Sequence, residues 1–515
     1  MNALDAIKKA LDRARTENGD RAHRSSGSAC LDLFSLCGGM RRNPAGLEKL
    51  FVRAYAENEV LAVKILFYLR NIRGGLGERA GFRLLLRRLA VSRPELARKV
   101  LYAVPEYGRW DDILVLLDTP AKDDVTSLIK ARLDKDMAAI ESKKEGGEGA
   151  VSLLGKWLPS VNASSRQSLA RAKILMAALG MRAAEYRKLC TALRKEIQII
   201  ENNLREKDYS FDYSLQPGQA MLRYKKAFLR NDGGRYKAYL HSLFEQAEEL
   251  ARGEEISPGG KAKLNAKTLQ PYQLVAPFMQ AWGGMNELDD EAALPLEAAW
   301  LSLERKAVGS RTIVVRDGSG SMYRTGTDSP INVATSLALL FAEQLGGAYR
   351  NSFITFSSRP ELVQIPESCG TLRKKLEFVA QFNDCSNTDI AKVYELLLSV
   401  ARSRKVPKEE MIERVLIISD MEFDCCGNGD RSSFDLYRRK FRKAGLELPE
   451  IVFWNVAARD AHLPVTMNEA GVKLVSGAGA NIFADVVSGD LTPMTPYEFM
   501  LKILEPYAEF DALAG

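Results

Sequence analysis

Histidine is the residue that this chain most clearly lacks: its 515 residues include three, His23, His241 and His462. None of them adjoins, along the sequence, the acidic and hydroxyl motifs that lie near residues 317 and 420. We also find no evident nucleophile–base pair and no cluster of carboxylates suited to two metals. We therefore predict that the protein is not an enzyme, and a metal-dependent phosphoesterase is the weakest function considered.

Cysteine and long apolar stretches are also scarce. The seven cysteines are odd in number, widely spaced and without a Cys-x-x-Cys pair, which predicts a reduced, cytoplasmic setting. The adjacent pair Cys425-Cys426 is expected to be structural. No uninterrupted apolar run is long enough to cross a bilayer, and the charged N-terminus MNALDAIKKALDRARTENGD lacks the apolar core of a secretory signal. We expect no membrane partner, and we expect this N-terminal segment to be an amphipathic helix.

Charge is distributed unevenly along the chain. The net charge is +7, but residues 1–307 carry 50 basic and 39 acidic side chains, whereas residues 308–515 carry 23 and 27. Much of the basic excess lies in residues 51–100, with 11 basic and 4 acidic, and in residues 151–200, with 9 and 2. Clustered basic charge is typical of a nucleic-acid surface, but a solvated helical surface also carries it. Charge alone leaves both interpretations open.

The most informative motif is Asp317-Gly-Ser319-Gly-Ser321-Met322, which directly follows the β-like run 311–316. Alternate residues of a tight loop turn their side chains to the same side, so one carboxylate and two hydroxyls can converge on one cation. Mg²⁺ prefers oxygen ligands and is often held by only one or two carboxylates, with water or substrate completing its shell. The spacing predicts a Mg²⁺ site, although Asp317 and Ser321 would also suit the cap of a helix.

Two further segments follow in the order that such a site needs. Ser386-Asn-Thr388-Asp389 precedes a helical run, which suits a loop that carries Thr388 towards the metal. The apolar strand that begins at Arg414 ends in Asp420, a second carboxylate. The predicted metal ligands are therefore Asp317, Ser319, Ser321, Thr388 and Asp420.

Three other charged residues lie close to these motifs in the sequence. Glu422 and Asp424 add negative charge just after the second carboxylate, and we expect them to act without contacting the metal. Arg316 is a charge at the end of an otherwise apolar strand. We expect it to lie at the rim of the sheet.

Around these motifs, strand-like and helical runs alternate. The strand-like runs lie at 312–315, 352–356, 361–365, 414–419, 450–456 and 472–475. The helical runs lie at 331–346, 370–380, 389–403 and 433–444. The alternation predicts a doubly wound, Rossmann-like α/β domain with a mostly parallel sheet, whose ligands bind beyond the carboxyl ends of the strands. Asp317 and Asp420 both lie at such ends.

From about residue 45 to residue 300 the pattern predicts successive amphipathic helices. Leu47, Leu50, Phe51 and Ala54, for example, have the i, i+3, i+4, i+7 spacing of one helix face. No tight sequence repeat is present, but many short helices in a row indicate an α-helical, HEAT-like repeat, either open or closed into a ring. The predicted domains are an N-terminal helix or tail (1–28), a helical-repeat domain (29–305), an α/β domain (306–492) and a C-terminal helix (493–515).

One stretch of the helical half combines glycines with arginines. Leu69–Arg79 is not a phosphate-binding P-loop, because no Gly-Lys-Ser/Thr follows its glycines. It is either a corner between two helices, with glycines ending the first, or a phosphate contact through Arg73 or Arg79 at a helix N-terminus.

A second stretch, Met221–Arg230, interleaves basic and aromatic residues. This combination can bind phosphates while stacking bases, but at helical spacing we expect Tyr224, Phe228 and the later Tyr239 in the core. The candidate RNA-binding residues of the helical half are Arg70, Arg73, Arg79, Arg83, Lys156, Arg166, Arg171, Lys173, Arg223, Lys225 and Lys226.

This order of motifs resembles the TROVE family (telomerase, Ro and vault proteins), in which a helical-repeat half precedes a von Willebrand factor A domain with a metal-ion-dependent adhesion site (MIDAS). It is more closely similar to a family of unknown function from plants, fungi and bacteria. The shared stretches, which span most of residues 30–500, are Leu-Arg-Asn-Ile-Arg-Gly-Gly-x-Gly-Glu-Arg (69–79), Pro-Glu-Tyr-Gly-Arg-Trp-Asp-Asp (105–112), Lys-Trp-x-Pro-Ser (156–160), Asp-x-Ser-Gly-Ser-Met (317–322) and Ile-Ser-Asp-Met-x-Phe-Asp (418–424).

The resemblance implies a function as well as a fold. Ro-like proteins are closed rings of helical repeats with a basic inner surface, and they bind small structured RNAs and the single-stranded ends of misfolded RNAs. The resemblance therefore implies a non-enzymatic, Ro-like RNA-binding protein of a ribonucleoprotein, with Mg²⁺ or another divalent cation at the MIDAS. Only the five metal ligands carry over residue by residue. The alternative is a protein-interaction scaffold whose MIDAS captures an acidic residue of a partner protein.

Overall fold

The computed structural model of the protein places a helical half before an α/β half, as the sequence predicts. The described residues are 13–16, 21–197, 199–252, 263–305, 311–357, 359–383, 389–403, 407, 410–422, 433–459, 461–487 and 493–514.

Helices make up most of the described chain between residues 29 and 301. They are α1 (Ala29–Leu36), α2 (Pro44–Glu57), α3 (Glu59–Arg70), α4 (Arg79–Ser92), α5 (Pro94–Val100), α6 (Val104–Tyr107), α7 (Trp110–Ile113), α8 (Lys122–Lys144), α9 (Leu154–Trp157), α10 (Arg166–Ala178), α11 (Ala183–Glu196), α12 (Ile200–Glu206), α13 (Gly218–Ala251), α14 (Pro271–Val275) and α15 (Asp290–Leu301).

Helix α2 shows how local sequence produces these elements. The Asn43 side chain caps its first turn by accepting a hydrogen bond from the backbone N–H of Gly46, and Pro44 occupies the first helical position, where no N–H is needed. Its buried residues are Leu47, Leu50, Phe51 and Ala54. These are the four positions whose spacing predicted one buried face.

The N-terminal segment differs from the prediction. Within the predicted helix, strand β1 (Arg13–Arg15) pairs antiparallel with β2 (Arg21–His23). His23 also exchanges two backbone hydrogen bonds with Leu463, at 2.9 and 3.0 Å. These distant backbone partners outweigh the local helical preference of the segment. The rest of the predicted helix lies outside the described residues.

The α/β half contains a six-stranded sheet. Its strands are β3 (Thr312–Asp317), β4 (Ser352–Phe356), β5 (Leu362–Gln364), β6 (Arg414–Ser419), β7 (Glu450–Asn455) and β8 (Val472–Ser476). Their order across the sheet is β5-β4-β3-β6-β7-β8, and all neighbours are parallel except β5, which runs antiparallel to β4. Successive strands are therefore added outwards in opposite directions from the boundary between β3 and β6, which makes this boundary the switch point of the sheet. Ligands of such sheets bind at this switch point, beyond the carboxyl ends of the strands.

Helices accompany the strands and end the chain. They are α16 (Pro330–Ala342), α17 (Leu372–Ala380), α18 (Ile390–Ser403), α19 (Ser433–Lys443), α20 (Phe483–Val487) and α21 (Pro496–Leu504), and a 3-10 helix follows at Glu505–Ala514. Every residue of α16 is buried, because the helix packs between the sheet and α14 of the helical half. This double coverage explains why apolar residues occur all around the helix.

Arg316 is not at the rim of the sheet, where the sequence analysis placed it. It is 1% exposed within β3. Its guanidinium donates to Thr335 Oγ1 at 3.0 Å and to Asn383 Oδ1 at 2.6 Å, and it lies over the ring of Phe353. These partners replace water, which is why a charged side chain can occupy a buried strand.

The helical half contacts the α/β half at both of its ends. At the beginning, α1 packs on β8 and on α21, and at the end, α14 and α15 pack on α16 and α17. The two ends of the helical half also meet each other, since the guanidinium of Arg41, which follows α1, lies 6.0 Å from the ring centre of Tyr272 in α14. The helices therefore lead away from the α/β half and back to it. None of the helices in the described ranges is long and apolar enough to span a membrane.

Candidate functional site

Two carboxylates lie at the switch point of the sheet. Asp317 is the last residue of β3, and Asp420 directly follows β6, the neighbouring parallel strand. Asp317 is fully buried and Asp420 is 2% exposed. The Ser419 hydroxyl donates to Asp317 Oδ2 at 2.6 Å, so the end of β6 holds the carboxylate that ends β3.

The predicted hydroxyl ligands join these carboxylates. The backbone N–H of Ser319 donates to Asp317 Oδ1 at 2.8 Å, which closes the loop and turns its hydroxyl inwards. The hydroxyl oxygens of Ser319 and Ser321 are 3.0 Å apart. Ser321 also hydrogen-bonds to Asp420. The structure thus brings together four of the five predicted metal ligands, while Thr388 lies outside the described residues.

The electrostatics of the pair favour a cation. Burial, and then the charge of Asp420, raise the pKa of Asp317 to about 7. Burial likewise raises the pKa of Asp420. Two buried like charges disfavour their own ionised forms, and a bound cation would reverse that effect.

This donor set suits Mg²⁺. Mg²⁺ requires octahedral oxygen coordination and commonly keeps water beside one or two carboxylates. Two carboxylates and two hydroxyls leave room for such water. No group of three or more His, Cys, Asp or Glu side chains within the described part of the chain is placed to hold a metal. A metal at this edge would therefore depend on hydroxyl ligands, as the Asp-x-Ser-x-Ser spacing predicts.

Two residues that the sequence analysis missed surround this candidate metal site. Arg459 Nη2 donates to the Ser321 carbonyl at 2.8 Å and lies 3.5 Å from Asp420 Oδ2. His462 Nε2 lies 3.1 Å from Glu422 Oε1. No histidine adjoins the motif in the sequence, as predicted, but in the folded protein His462 lies next to Glu422. Both Arg459 and His462 follow the carboxyl end of β7. Their position just after a strand end is the sequence feature that could have indicated a place near the site.

Glu422 is buried beside the site, and its backbone N–H donates to Asp420 Oδ1 at 3.3 Å. Between them, Met421 has a positive φ of 65°, an uncommon conformation for this residue type that tends to be kept at functional turns. Asp424 and the Cys425-Cys426 pair lie outside the described residues.

A second cluster, of arginines, lies in the helical half. Arg83 pairs with Asp111 and Asp112, each at 2.6 Å, and Arg109 pairs with Asp111 at 2.9 Å. Arg79 and Arg171 have no hydrogen-bond or ion-pair partner among the residues that the structure describes.

The two unpaired arginines lie within the electrostatic reach of the paired ones. Partial burial, and then the charges of Arg109 and Arg83, lower the pKa of Arg79. Partial burial, and then the charge of Arg83, lower the pKa of Arg171. We call Arg79, Arg83, Arg109 and Arg171 the arginine cluster.

Contacts connect some of the other predicted basic residues to this cluster. The Arg109 guanidinium stacks 4.1 Å from the ring centre of Trp157, and Lys156 lies over the same ring. Lys156 pairs with Glu201 at 3.4 Å, and Glu201 accepts a hydrogen bond from Tyr224. Tyr224 in turn adjoins Arg223 and Lys225. Lys226, Arg166, Lys173 and Arg73 are exposed.

Burial bears on two predictions for this half. Arg70 is 2% exposed and pairs with Asp112 at 2.8 Å, so we leave it out of the candidate RNA surface. Phe228 is fully buried against Tyr213 and Tyr236, and Tyr239 stacks on Tyr213. Phe228 therefore lies in the core, as expected, while Tyr224 and Tyr239 are half-buried and pack against the core.

The fold and the site define a class of protein: a helical half joined to an α/β domain with a carboxylate–hydroxyl site at its switch point. Two families match the chain, each described as a domain of unknown function: DUF2828 over residues 16–125 and DUF7788 over residues 311–490.

An uncharacterized protein of Acanthamoeba polyphaga mimivirus is 28% identical over 528 aligned positions, covering 96% of this chain and 87% of that protein. Among solved structures, the chain is similar to the RO (RSR) protein of Deinococcus radiodurans. The TM-score is 0.47 at 14% identity, and the match covers 94% of this chain and 100% of that one.

Proposed function

We propose that this protein binds RNA through the arginine cluster and the basic residues connected to it. The observation that carries the proposal is the pair Arg79 and Arg171. Their side chains lie among other arginines and make no hydrogen bond or ion pair with a described residue, although Asp111 lies within electrostatic reach of both. A phosphate would relieve this repulsion, because guanidinium groups form short, charge-assisted hydrogen bonds with phosphate oxygens.

The position of Arg79 supports a phosphate ligand. Arg79 is the first residue of α4, a helix of 14 residues whose N-cap residue, Glu78, makes no capping hydrogen bond with its side chain. The backbone N–H groups of this first turn and the helix dipole both favour an anion. Trp157, stacked under Arg109, adds a partly exposed aromatic face beside the cluster.

The test is RNA binding at two salt concentrations. We expect RNA to copurify at low salt, and we expect single-stranded and structured RNA to rebind with an affinity that falls steeply as salt rises. The double variant Arg79→Glu, Arg171→Glu should abolish most of this binding. The single variant Arg79→Glu should also bind RNA more weakly than its matched control, Arg88→Glu, because Arg88 is exposed on the opposite face of the same helix, nine residues from Arg79. Equal losses in these two single variants, or no RNA retained at low salt, would refute the proposal.

A second candidate function rests on the candidate metal site. We propose that Asp317, Ser319, Ser321 and Asp420 hold Mg²⁺, and that the cation captures a carboxylate of a partner protein. The supporting observation is that two carboxylates and two hydroxyls fill only four of the six positions of an octahedral Mg²⁺ site, and Ser321 is partly exposed, so a partner's carboxylate could take an open position. Binding of this kind would require Mg²⁺, would not require RNA and would be lost in Asp317→Asn. In both cases we propose a binding role rather than catalysis.

A further inference from the structure

A cavity of about 280 Å³ lies between the two halves of the protein, next to the candidate metal site. Its walls carry four arginines and one carboxylate: Arg41, Arg42, Arg324, Arg459 and Asp328. The first two belong to the loop between α1 and α2, and the others follow β3 and β7. We call this cavity the arginine pocket. None of its arginines belongs to the arginine cluster of the helical half.

Two arginines of the pocket, Arg41 and Arg42, are held in place but keep donors for a ligand. Arg41 donates through Nε to Glu78, while its Nη2 is buried without a hydrogen-bond partner among the described residues. Arg42 pairs across the two halves with Asp328 at 2.7 Å. A guanidinium has five N–H donors, so one ion pair leaves several of them available.

Two helix N-termini add positive potential to the pocket. Asn43, the N-cap of α2, and Pro330, the first residue of α16, both line it. These helices have 14 and 13 residues, long enough for the partial positive charge of their N-termini to favour an anion.

We propose that the arginine pocket binds a phosphate monoester. Four arginines and one carboxylate, Asp328, line the cavity, so basic side chains predominate on its walls. Glu78 and Asp420 pair with Arg41 and Arg459 from outside these walls. A phosphate monoester carries about −1.5 to −2 charges and three acceptor oxygens, which matches several guanidinium forks better than a single carboxylate does.

The size of the pocket limits the ligand. Small-molecule pockets of proteins usually measure about 300–1,000 Å³, and this one, at about 280 Å³, lies just below that range. It therefore suits a phosphate with one small organic group, such as a mononucleotide. The same chemistry occurs in a free phosphate ester and in the phosphorylated end of an RNA. The site needs no RNA, so it stands or falls separately from the RNA-binding proposal.

The pocket also adjoins the candidate metal site through one side chain. Arg459 reaches from the wall of the pocket to Asp420 and to the Ser321 carbonyl. Binding should first be measured in EDTA, so that a signal reports on the pocket alone and not on phosphate bound to a metal.

The experiment is calorimetric titration of the full chain with inorganic phosphate, AMP and adenosine. We expect phosphate and AMP to bind and adenosine not to bind. Arg41→Gln should lower the affinity for AMP at least about tenfold, because it removes charge-assisted hydrogen bonds. Ala457→Leu should do the same without changing any charge, since Ala457 lines the pocket and the larger side chain would fill it.

Arg402→Gln is the control for loss of one surface charge, because Arg402 is exposed on α18 and does not line the pocket. Circular dichroism of each variant checks that it is folded. The proposal is overturned if phosphate and AMP give no heat at millimolar concentration, or if either Arg41→Gln or Ala457→Leu binds AMP as the unchanged protein does.

Oligoribonucleotides distinguish the two sources of the phosphate. A 5′-phosphorylated oligomer that binds more tightly than its 5′-hydroxyl counterpart, with the difference lost in Arg41→Gln, assigns the pocket to an RNA end. Equal binding of the two oligomers, with AMP still bound, assigns it to a free phosphate ester.

Discussion

In the α/β half, the charged side chains of the candidate site come from strand ends, whereas in the helical half they come from helix faces and corners. Asp317 and Asp420 end neighbouring parallel strands, so the backbone alone directs both to one edge. Arg79, Arg109 and Arg171 come from three separate parts of the helical half, and only its packing brings them together. The positions of the carboxylates therefore follow from the pairing of two strands, whereas the positions of the arginines depend on how many helices pack together.

The two halves also hold opposite charges in excess. In the α/β half, burial and a neighbouring carboxylate raise the pKa of Asp317. In the helical half, burial and neighbouring arginines lower the pKa of Arg79 and Arg171. Each place thus concentrates like charges that an added counter-ion would stabilise, a cation in the first and an anion in the second.

The largest expected effect concerns the cation. Asp317→Asn should lower the affinity for Mg²⁺ at least about 100-fold, because it removes one of two carboxylates from a site with otherwise neutral ligands. The affinity of the unchanged protein should also fall as the pH drops below about 7, where protons compete with Mg²⁺ for Asp317. Calorimetric titration with Mg²⁺ measures both.

Asp485→Asn is the control for this experiment, because Asp485 is exposed on α20, away from the switch point. The comparison between the halves would fail if Asp317→Asn and Asp485→Asn bound Mg²⁺ alike. In that case the buried carboxylates would serve the fold rather than a cation.

The second prediction compares the buried Arg70 with the exposed Arg73, which belong to the same Leu69–Arg79 motif. Arg70→Met should lower the free energy of unfolding by about 3 kcal/mol, because it leaves the buried Asp112 carboxylate short of one partner. The remaining hydrogen bonds from Arg83 and from the Arg109 backbone keep the cost at the lower end of the range for broken buried pairs. Urea denaturation measures it.

Arg73→Met is the matched control, since Arg73 lies three residues further along and is exposed. Its effect on stability should stay within about 0.5 kcal/mol. RNA affinity should be unchanged in Arg70→Met. A loss of RNA binding in a folded Arg70→Met protein would return Arg70 to the candidate surface.

The carboxylates were predictable from the sequence, while much of their surroundings was not. A parallel sheet brings every strand end to one edge, so Asp317, Ser319, Ser321 and Asp420 could be grouped without coordinates. Arg459 follows β7 at the same edge, but no pattern indicates which residue of a loop turns inwards. Arg316 was misplaced because its buried partners, Thr335 and Asn383, come from distant segments.

In the helical half, the periodicity predicted buried faces but not the environment of each charge. Arg70 and Arg79 lie in one motif, yet the first turns into the core and the second out of it. Similarly, residues 13–15 form a strand because they pair with β2, and His23 of β2 in turn hydrogen-bonds to Leu463. No local sequence pattern indicates this distant contact. What the sequence leaves open is the set of contacts made between distant segments.

The third effect concerns the contact between the two halves. A methyl group on Gly38 would lie 2.8 Å from the backbone Cα and N of Gly477, at the end of β8. Since backbone atoms cannot move aside cheaply, Gly38→Ala should lower the free energy of unfolding by about 1–3 kcal/mol. Gly370→Ala is the control, because a methyl group there meets nothing within 4 Å. Equal denaturation midpoints for the two variants would show that the halves do not need this close approach.

The smallest expected effect concerns the charge of one residue of the arginine cluster, Arg79. Arg79→Gln removes a guanidinium that makes no hydrogen bond or ion pair with a described residue, so stability should be unchanged within about 0.5 kcal/mol. If Arg79 contacts one phosphate, the slope of log affinity against log salt should become shallower by about 0.7 for single-stranded RNA. Filter binding over a series of salt concentrations measures this slope. Arg88→Gln, on the opposite face of α4, should leave it unchanged. A slope altered equally in both variants would mean that RNA responds to the net charge of the helical half and not to the arginine cluster. The helical half would then differ from the α/β half in the sign of its charge, without an RNA site of its own at the cluster.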